Sequence, residues 1–511
     1  MKNKKTYPKK TFEQTIFKKQ EKKNWSEYQK NIFRNIAKDT GHTLVIARAG
    51  SAKTTTLVEG AKYIPKGKKS LFVAFNKSIQ EELKAKLPSY VECLTLHSLG
   101  LRGIKAKFQN VEINNYKCQN MIEKFIENNK ENYPLIDSIK KTVSLCKANL
   151  ADTPKLIEDI IYKYDIDLED TSLETFIHYV SKTLRYCKEF TKEVDFDDMI
   201  WFPLIFRINV GKYDFVGIDE CQDLNRAQIE LALSACKIDG RVLALMDNFQ
   251  AIYSWRGADS LVYDNLKNRL EPKEYKLPIC YRCPKKVVTL CKNYVEDIIP
   301  FEESKEGEII DLQLSDMIKK ASKGDYIISR FNAPLIKNCM NFLKNRIPAN
   351  ILGRDIGENL SNMLKKSKKK DIKTFLEWLK KWEKDEKENL LLKYPNASTD
   401  NISDKSECLR ILCEDSSSLD DVKSNINKLF QENEESKIVL FSSIHKIKGK
   451  ETNNVFVLTD TLSESSQEEK NLCYVAFSRA KSNLYLVKKS SDSLSFLDRY
   501  RDDDIYKEDY I

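Results

Sequence analysis

Histidine is scarce in this chain: four residues in 511. The one close cysteine pair, Cys280 and Cys283, is followed only by Cys291, so a four-ligand zinc site of nitrogen and sulfur donors has little to draw on. Long apolar runs are also missing. No stretch approaches the roughly 18 residues that cross a bilayer as a helix, and the first residues are lysine-rich instead of forming an apolar export segment. These absences predict a soluble, intracellular protein, cytoplasmic or nuclear and without a membrane partner, whose thirteen cysteines stay reduced.

What is present is enough apolar material to fold: 41% hydrophobic and 10% aromatic residues against 32% charged. The length exceeds one compact core, since domains usually hold about 100–200 residues, so three or four units are expected. The net charge is +10, and lysines dominate residues 1–23. Such a balance suits a polyanion through phosphate neutralisation, although a basic arm is more often simply solvated and disordered.

Along the chain, helical spacing over 25–38 precedes a short apolar strand at 43–47, a small-residue turn and a helix from about Lys53. Strand-like runs follow at 70–75 and 91–96, the first leading into a helix, which is the alternation of a parallel α/β sheet. Residues 103–192 read as helical and rich in lysine and asparagine, with no strong strand. Strands recur at 213–218 and 241–246, then at 326–329, 438–441, 454–458 and 483–487, implying a second sheet. A further helical, charge-dense stretch spans about 359–436 and carries the lysine run 365–370. No internal repeat is visible.

Two segments carry chemistry. Ala47-Arg-Ala-Gly-Ser-Ala-Lys-Thr-Thr55 lies between a strand and a helix, where backbone N–H groups and a helix N-terminus can wrap phosphate oxygens. Lys53 is placed to reach the β- and γ-phosphates and Thr54 to hold Mg²⁺. Arg48 and Ala52 occupy positions where glycine is the rule for such loops, and a left-handed backbone at Ala52 costs about 1–2 kcal/mol. The second segment, Tyr213-Asp-Phe-Val-Gly-Ile-Asp-Glu-Cys-Gln-Asp223, brings adjacent carboxylates to the carboxyl end of a buried strand, where α/β sheets bind ligands. Asp219 can hold the metal while Glu220 takes a proton from the attacking water. An isolated Asp-Glu pair usually marks an acidic turn; with Gln222 and Asp223 following, the pattern is far more specific.

With these in place the sequence resembles superfamily 1 helicases of the UvrD/Rep/PcrA group, its motifs running in the family's order from Gln29 to Arg479. The resemblance implies an α/β fold with two RecA-like nucleotide-hydrolase domains and two helical insertions. The boundaries expected are 24–102 with 193–275 for the first RecA-like domain and 276–358 with 437–495 for the second. Insertions occupy 103–192 and 359–436, a basic arm 1–23, and an acidic tail 496–511. It implies nucleotide contacts from Gln29, the loop residues Ala49, Gly50, Ser51, Ala52, Lys53, Thr54 and Thr55, Tyr281 against the base, and Gly449 and Glu451 near the ribose. Gln250, Arg282 and Arg479 are implied at the γ-phosphate. Thr55 stands where the family usually has a base-facing arginine. DNA contacts are implied for Phe75, Asn76, Thr95, His97, Tyr253, Trp255, Arg256 and His445, with Trp255 stacking on a base for about 1–3 kcal/mol. Asp195-Phe-Asp-Asp-Met199 resembles the segment preceding the metal-binding strand.

The function so implied is an ATP- and Mg²⁺-dependent DNA helicase moving 3′ to 5′ on single-stranded and forked DNA, as a monomer or a DNA-dependent oligomer. Two other readings stand beside it: a translocase that remodels without robust unwinding, and a nucleic-acid-binding scaffold impaired in hydrolysis. Backbone and stacking contacts do not read the 2′-hydroxyl, so only the resemblance favours DNA over RNA as the track. No motif names the pathway or a loading partner.

Overall fold

The structure, a computed structural model, describes residues 24–38, 41–74, 76–129, 132–164, 166–169, 171–252, 262–393, 398–431, 433–489 and 496. The basic arm 1–23, Phe75, the motif residues Tyr253, Trp255 and Arg256, and all of the acidic tail beyond Phe496 lie outside the described residues.

Two six-stranded sheets, parallel at every pairing, organise the chain. The first takes β1 (Thr43–Ala47), β2 (Ser70–Ala74), β3 (Val91–Thr95), β6 (Tyr213–Ile218), β7 (Cys236–Met246) and β8 (Lys273–Leu277), in the order β3-β2-β6-β7-β1-β8. The second takes β11 (Glu308–Gln313), β12 (Tyr326–Ser329), β13 (Ala349–Ile351), β14 (Val439–Ser443), β15 (Thr452–Leu458) and β16 (Ala480–Lys488), in the order β11-β16-β15-β12-β14-β13. The expected α/β class with two such sheets is what the chain adopts. Central strands such as β1 and β2 are buried on both faces, as their short apolar runs require in a parallel sheet covered by helices. Two short pairs complete the set: β4 (Glu112–Ile113) with β5 (Glu193–Val194), and β9 (Ile279–Cys280) with β10 (Ile299–Pro300). The first of these puts a two-residue strand inside a stretch that reads as wholly helical.

Register sets the functional edge of the first sheet. Ile46 pairs with Met246 and Val73 with Ile218, so the turns leaving β1, β2, β6 and β7 emerge side by side at the carboxyl ends of their strands.

The two helical stretches differ in how they attach. Helices Tyr133–Asn149, Pro154–Lys163 and Leu173–Glu189 form a core of their own around Ile139, Val143, Phe176 and Val180, which takes in Phe202 from helix Phe196–Ile205. Helices Ile372–Lys393, Asp400–Glu414 and Leu419–Leu429 share one core with the second sheet, where Phe375, Leu409 and Ile426 pack with Ile327, Phe441 and Phe456. Among the described residues no helix is long and apolar enough to cross a membrane.

Candidate nucleotide site and nucleic-acid face

After β1 the backbone turns through Arg48–Ala52 into helix Lys53–Ala61. Gly50 has φ +65°, and a Cβ there would lie 2.6 Å from Arg282 Cβ and 2.9 Å from Cys280 Sγ, so this position takes glycine. Ala52 is left-handed, at φ 59° and ψ 38°, and bears the strain expected at that place. The first N–H groups of the helix have no acceptor within it, and Lys53, Thr54 and Thr55 line the adjoining cleft. A cleft of about 750 Å³ opens there, lined from the first sheet by Arg48, residues 50–55, Glu220, Asp223 and Gln250, and from the other side by Tyr281, Arg282, Lys448, Gly449, Lys450, Glu451 and Arg479.

β6 is followed directly by Asp219 and Glu220, with Glu220 itself left-handed at φ 51°. The Glu220 N–H donates to Asp219 Oδ1 at 2.9 Å, and Lys53 Nζ lies 3.2 Å from Glu220 Oε1. Gln222 ties two turns together: its amide donates to Glu220, and its Oε1 accepts the Asp247 N–H at 3.0 Å. Burial and the neighbouring Glu220 charge push the Asp219 carboxyl well above the carboxylate range. Burial acts on Glu220 in the same direction, but Lys53 and Lys448 outweigh it and keep its carboxyl low. Burial would lower the Lys53 ammonium; Glu220, Asp247 and Asp219 overcome this and hold it above its usual value. The site is thus a crowd of carboxylates with too little positive charge around Asp219.

The far wall supplies guanidinium groups. Arg479, almost fully buried, donates from Nε to the Val475 carbonyl at 2.9 Å and from Nη2 to Gln250 Oε1 at 3.4 Å. Its burial and the adjacent Arg282 bring its pKa down to about 10. Arg282 pairs with Glu451, which also meets Lys481 at 3.3 Å, so the two residues expected at the γ-phosphate and the ribose are joined to each other. Gln250 donates to Asp247 Oδ2 at 2.6 Å.

Gln29 and Tyr281, 252 residues apart, meet at the remaining end: Tyr281 Oη lies 3.5 Å from Gln29 Oε1, while Gln29 Nε2 donates to Thr56 Oγ1 at 2.9 Å. Thr55 is exposed at the cleft rim.

Two residues missed from the sequence, Lys448 and Tyr474, bind the walls together. Lys448 Nζ lies 2.6 Å from Asp223 Oδ1 and donates to the Gln250 carbonyl, with both charged side chains nearly buried. Burial pushes Asp223 up to about 6 against the pull of Lys448. Tyr474 Oη accepts the Ala49 N–H at 2.7 Å. A lysine between Ile447 and Gly449 gives no signal in a chain this rich in lysine; only the fold points to it.

Residues expected on the nucleic-acid side lie at strand ends of both sheets. Asn76 caps helix Lys77–Lys86, accepting the Ile79 N–H at 2.9 Å, and lines the nucleotide cleft. Thr95 caps helix Leu96–Lys107 through the Ser98 N–H. His97, half-buried and with its pKa lowered by that burial, meets the ring of Phe196 edge-on at 5.6 Å. Phe196 was not expected among them, and its ring is 54% exposed. His445 is half-buried at the start of helix Ile444–Ile447, and Gly449 is exposed with φ +89°.

Residues 25–271 match the UvrD/REP helicase N-terminal domain and residues 439–487 the UvrD-like helicase C-terminal domain, together more than half the chain. Among curated proteins it is similar to the ATP-dependent DNA helicase Rep of Buchnera aphidicola subsp. Schizaphis graminum, 26% identical over 263 residues, 45% of this chain and 38% of that protein. It is also similar to the F-box DNA helicase protein 1 of Schizosaccharomyces pombe, 24% identical over 43% of this chain and 27% of the relative. The ATP-dependent DNA helicase PcrA of Bacillus subtilis is 25% identical over 43% of this chain and 32% of its own length. The matches therefore span well under half the length of these relatives. Because the two family descriptions fall on separate sheets whose residues face one another across a single cleft, the chain belongs to the UvrD/REP helicase family.

Proposed function

We propose that this chain is an ATP-driven DNA helicase that moves 3′ to 5′ on a single strand and opens duplex ahead of it. The observation that carries this is the joint lining of one cleft by Lys53, Glu220 and Gln250 from the first sheet and Arg282 and Arg479 from the far wall. In this reading residues 49–55 hold the triphosphate with backbone N–H groups and Lys53, while Gln29 and Tyr281 hold the base. Thr54 and Asp219 would hold Mg²⁺, which neutralises charge between the phosphates when bound. Glu220, kept ionised by Lys53 and Lys448, accepts a proton from the attacking water. Arg282 and Arg479 stabilise charge on the transferred phosphoryl when the walls are closed, so turnover is tied to their relative motion.

The track in this reading runs over the strand ends bearing Asn76, Thr95, His97 and Phe196 toward His445. The exposed Phe196 ring there suits stacking on a base of any sequence. Each opened base-pair step costs about 1.4 kcal/mol of stacking, within reach of one ATP per step. The test is phosphate release with and without single-stranded DNA, followed by unwinding of forks with either a 3′ or a 5′ tail. Strand-stimulated hydrolysis with opening of the 3′-tailed fork is expected. Hydrolysis without opening of either fork would leave a translocase, and no hydrolysis would leave a binding scaffold.

A further inference from the structure

Arg48 stands at a phosphate-loop position where a small residue would suffice, yet its side chain is almost wholly buried and committed. Nε donates to Asp297 Oδ1 at 2.6 Å and Nη2 to Asp297 Oδ2 at 3.0 Å, a two-pronged pair between residues 249 apart in the chain. Nη1 donates to the Ala47 carbonyl at 3.1 Å and lies 3.9 Å from Asp247 Oδ1, and the guanidinium sits 5.1 Å from the centre of the Phe249 ring. The Arg48 backbone N–H donates to the Leu277 carbonyl at the end of β8. All three guanidinium nitrogens donate a hydrogen bond, and a planar fork with this geometry is specific to arginine.

Asp297 is well placed to transmit a constraint. Its neighbours Val295 and Ile298 are fully buried in one core with Cys280, Cys283 and Leu484 of the second sheet. Immediately beyond it, β10 pairs with β9, the strand that runs straight into Tyr281 and Arg282. The Tyr281 N–H in turn donates to the Gly50 carbonyl at 2.9 Å. Arg48 therefore closes a loop: phosphate turn, Asp297, β10, β9, Tyr281 and back to the phosphate turn.

We propose that Arg48 is a positioning residue, which through its forked pair with Asp297 holds Tyr281 and Arg282 in register with the phosphate loop. The proposal rests on the cleft being a nucleotide site. Breaking the fork frees the segment 279–300 to shift against residues 49–53, and nucleotide affinity falls because Tyr281 no longer meets the base where Gln29 does. Lys276, which also reaches Asp297 at 3.1 Å, is 64% exposed and contributes little, as exposed pairs do.

The experiment titrates a fluorescent ADP analogue, mant-ADP, onto the full chain and its variants Arg48→Lys, Asp297→Asn, the double variant and Lys276→Ala, with thermal melting alongside. Arg48→Lys keeps the charge and loses the fork; Asp297→Asn keeps the shape and loses the charge. Each should weaken mant-ADP roughly five- to tenfold, the double variant no further than either single, because one interaction is removed once. Lys276→Ala should stay within about twofold. In a Tyr281→Ala background Arg48→Lys should have no further effect, a dependence that a merely structural arginine would not produce. Affinity within about twofold of the parent in both singles, or strictly additive losses in the double, overturns the proposal. Lys53→Ala separates the two claims: if it abolishes mant-ADP binding while the Arg48 and Asp297 variants bind normally, only the positioning role fails. If Lys53→Ala binds normally too, the nucleotide site itself is wrong.

Discussion

Two buried lysine–carboxylate clusters sit within the first half of the chain, and they are built to opposite ends. In the helical stretch, Lys117 meets Asp198 at 2.6 Å, and Lys147 meets both Asp195 and Asp198 at 2.9 Å, all four side chains at most 9% exposed. Two cations face two anions, Asp195 and Asp198 also close a capping box on helix Phe196–Ile205, and Phe202 and Trp201 cover the ammonium groups. In the cleft, four carboxylates, Asp219, Glu220, Asp223 and Asp247, meet three cations, Arg48, Lys53 and Lys448, the backbones of Glu220 and the neighbouring Ala52 are left-handed, and one flank opens to about 750 Å³ of space. Matched charge in a sealed pocket holds structure; unmatched carboxylate, strain and an open wall leave room for a ligand.

The comparison breaks if both clusters answer to mutation alike. The largest expected effect is on the sealed one: Asp198→Ala leaves Lys117 and Lys147 short of a partner and should cost about 3–5 kcal/mol of stability, read as a lowered denaturation midpoint. Hydrolysis per folded molecule should stay close to parental. Glu220→Gln should do the reverse, lowering strand-stimulated phosphate release about a hundredfold or more with little change in the denaturation midpoint. Equal losses of stability in the two variants would erase the distinction. The smallest effect sharpens it: Ala52→Gly relieves a left-handed alanine and should raise stability by about 1 kcal/mol, with the phosphate loop otherwise unchanged in its mant-ADP affinity. A fall in stability would mean that φ 59° at this residue is not strained.

How much of this was legible follows the same physics. β1, β6 and β12 fall where their apolar runs put them, because a parallel strand buried on both faces is apolar along most of its length. β8, β11 and β13 went unseen. β8 reads Lys-Glu-Tyr-Lys-Leu and β11 is nowhere fully buried, as sheet edges permit, while β13 has three residues and no pattern to show. β7 begins five residues before its apolar run, at Cys236, since its polar start lies outside the core. In the site, Lys53, Asp219 and Glu220 were readable because strand, turn and helix dictate their places locally. Arg48 appeared only as a departure from glycine; its partner lies 249 residues away, a distance that no local pattern reports. Lys448 and Tyr474 were invisible for the same reason, and Asp195 and Asp198, read only as part of the segment preceding the metal-binding strand, are the anions of the sealed cluster.

The account depends on the far wall acting on the same nucleotide as Lys53, and Arg479→Ala tests that most directly. Single-turnover phosphate release in the presence of single-stranded DNA should fall about a hundredfold or more, while mant-ADP affinity moves by no more than a few-fold, since ADP lacks the γ-phosphate that this arginine is held to serve. Release within twofold of the parent chain would contradict a shared cleft.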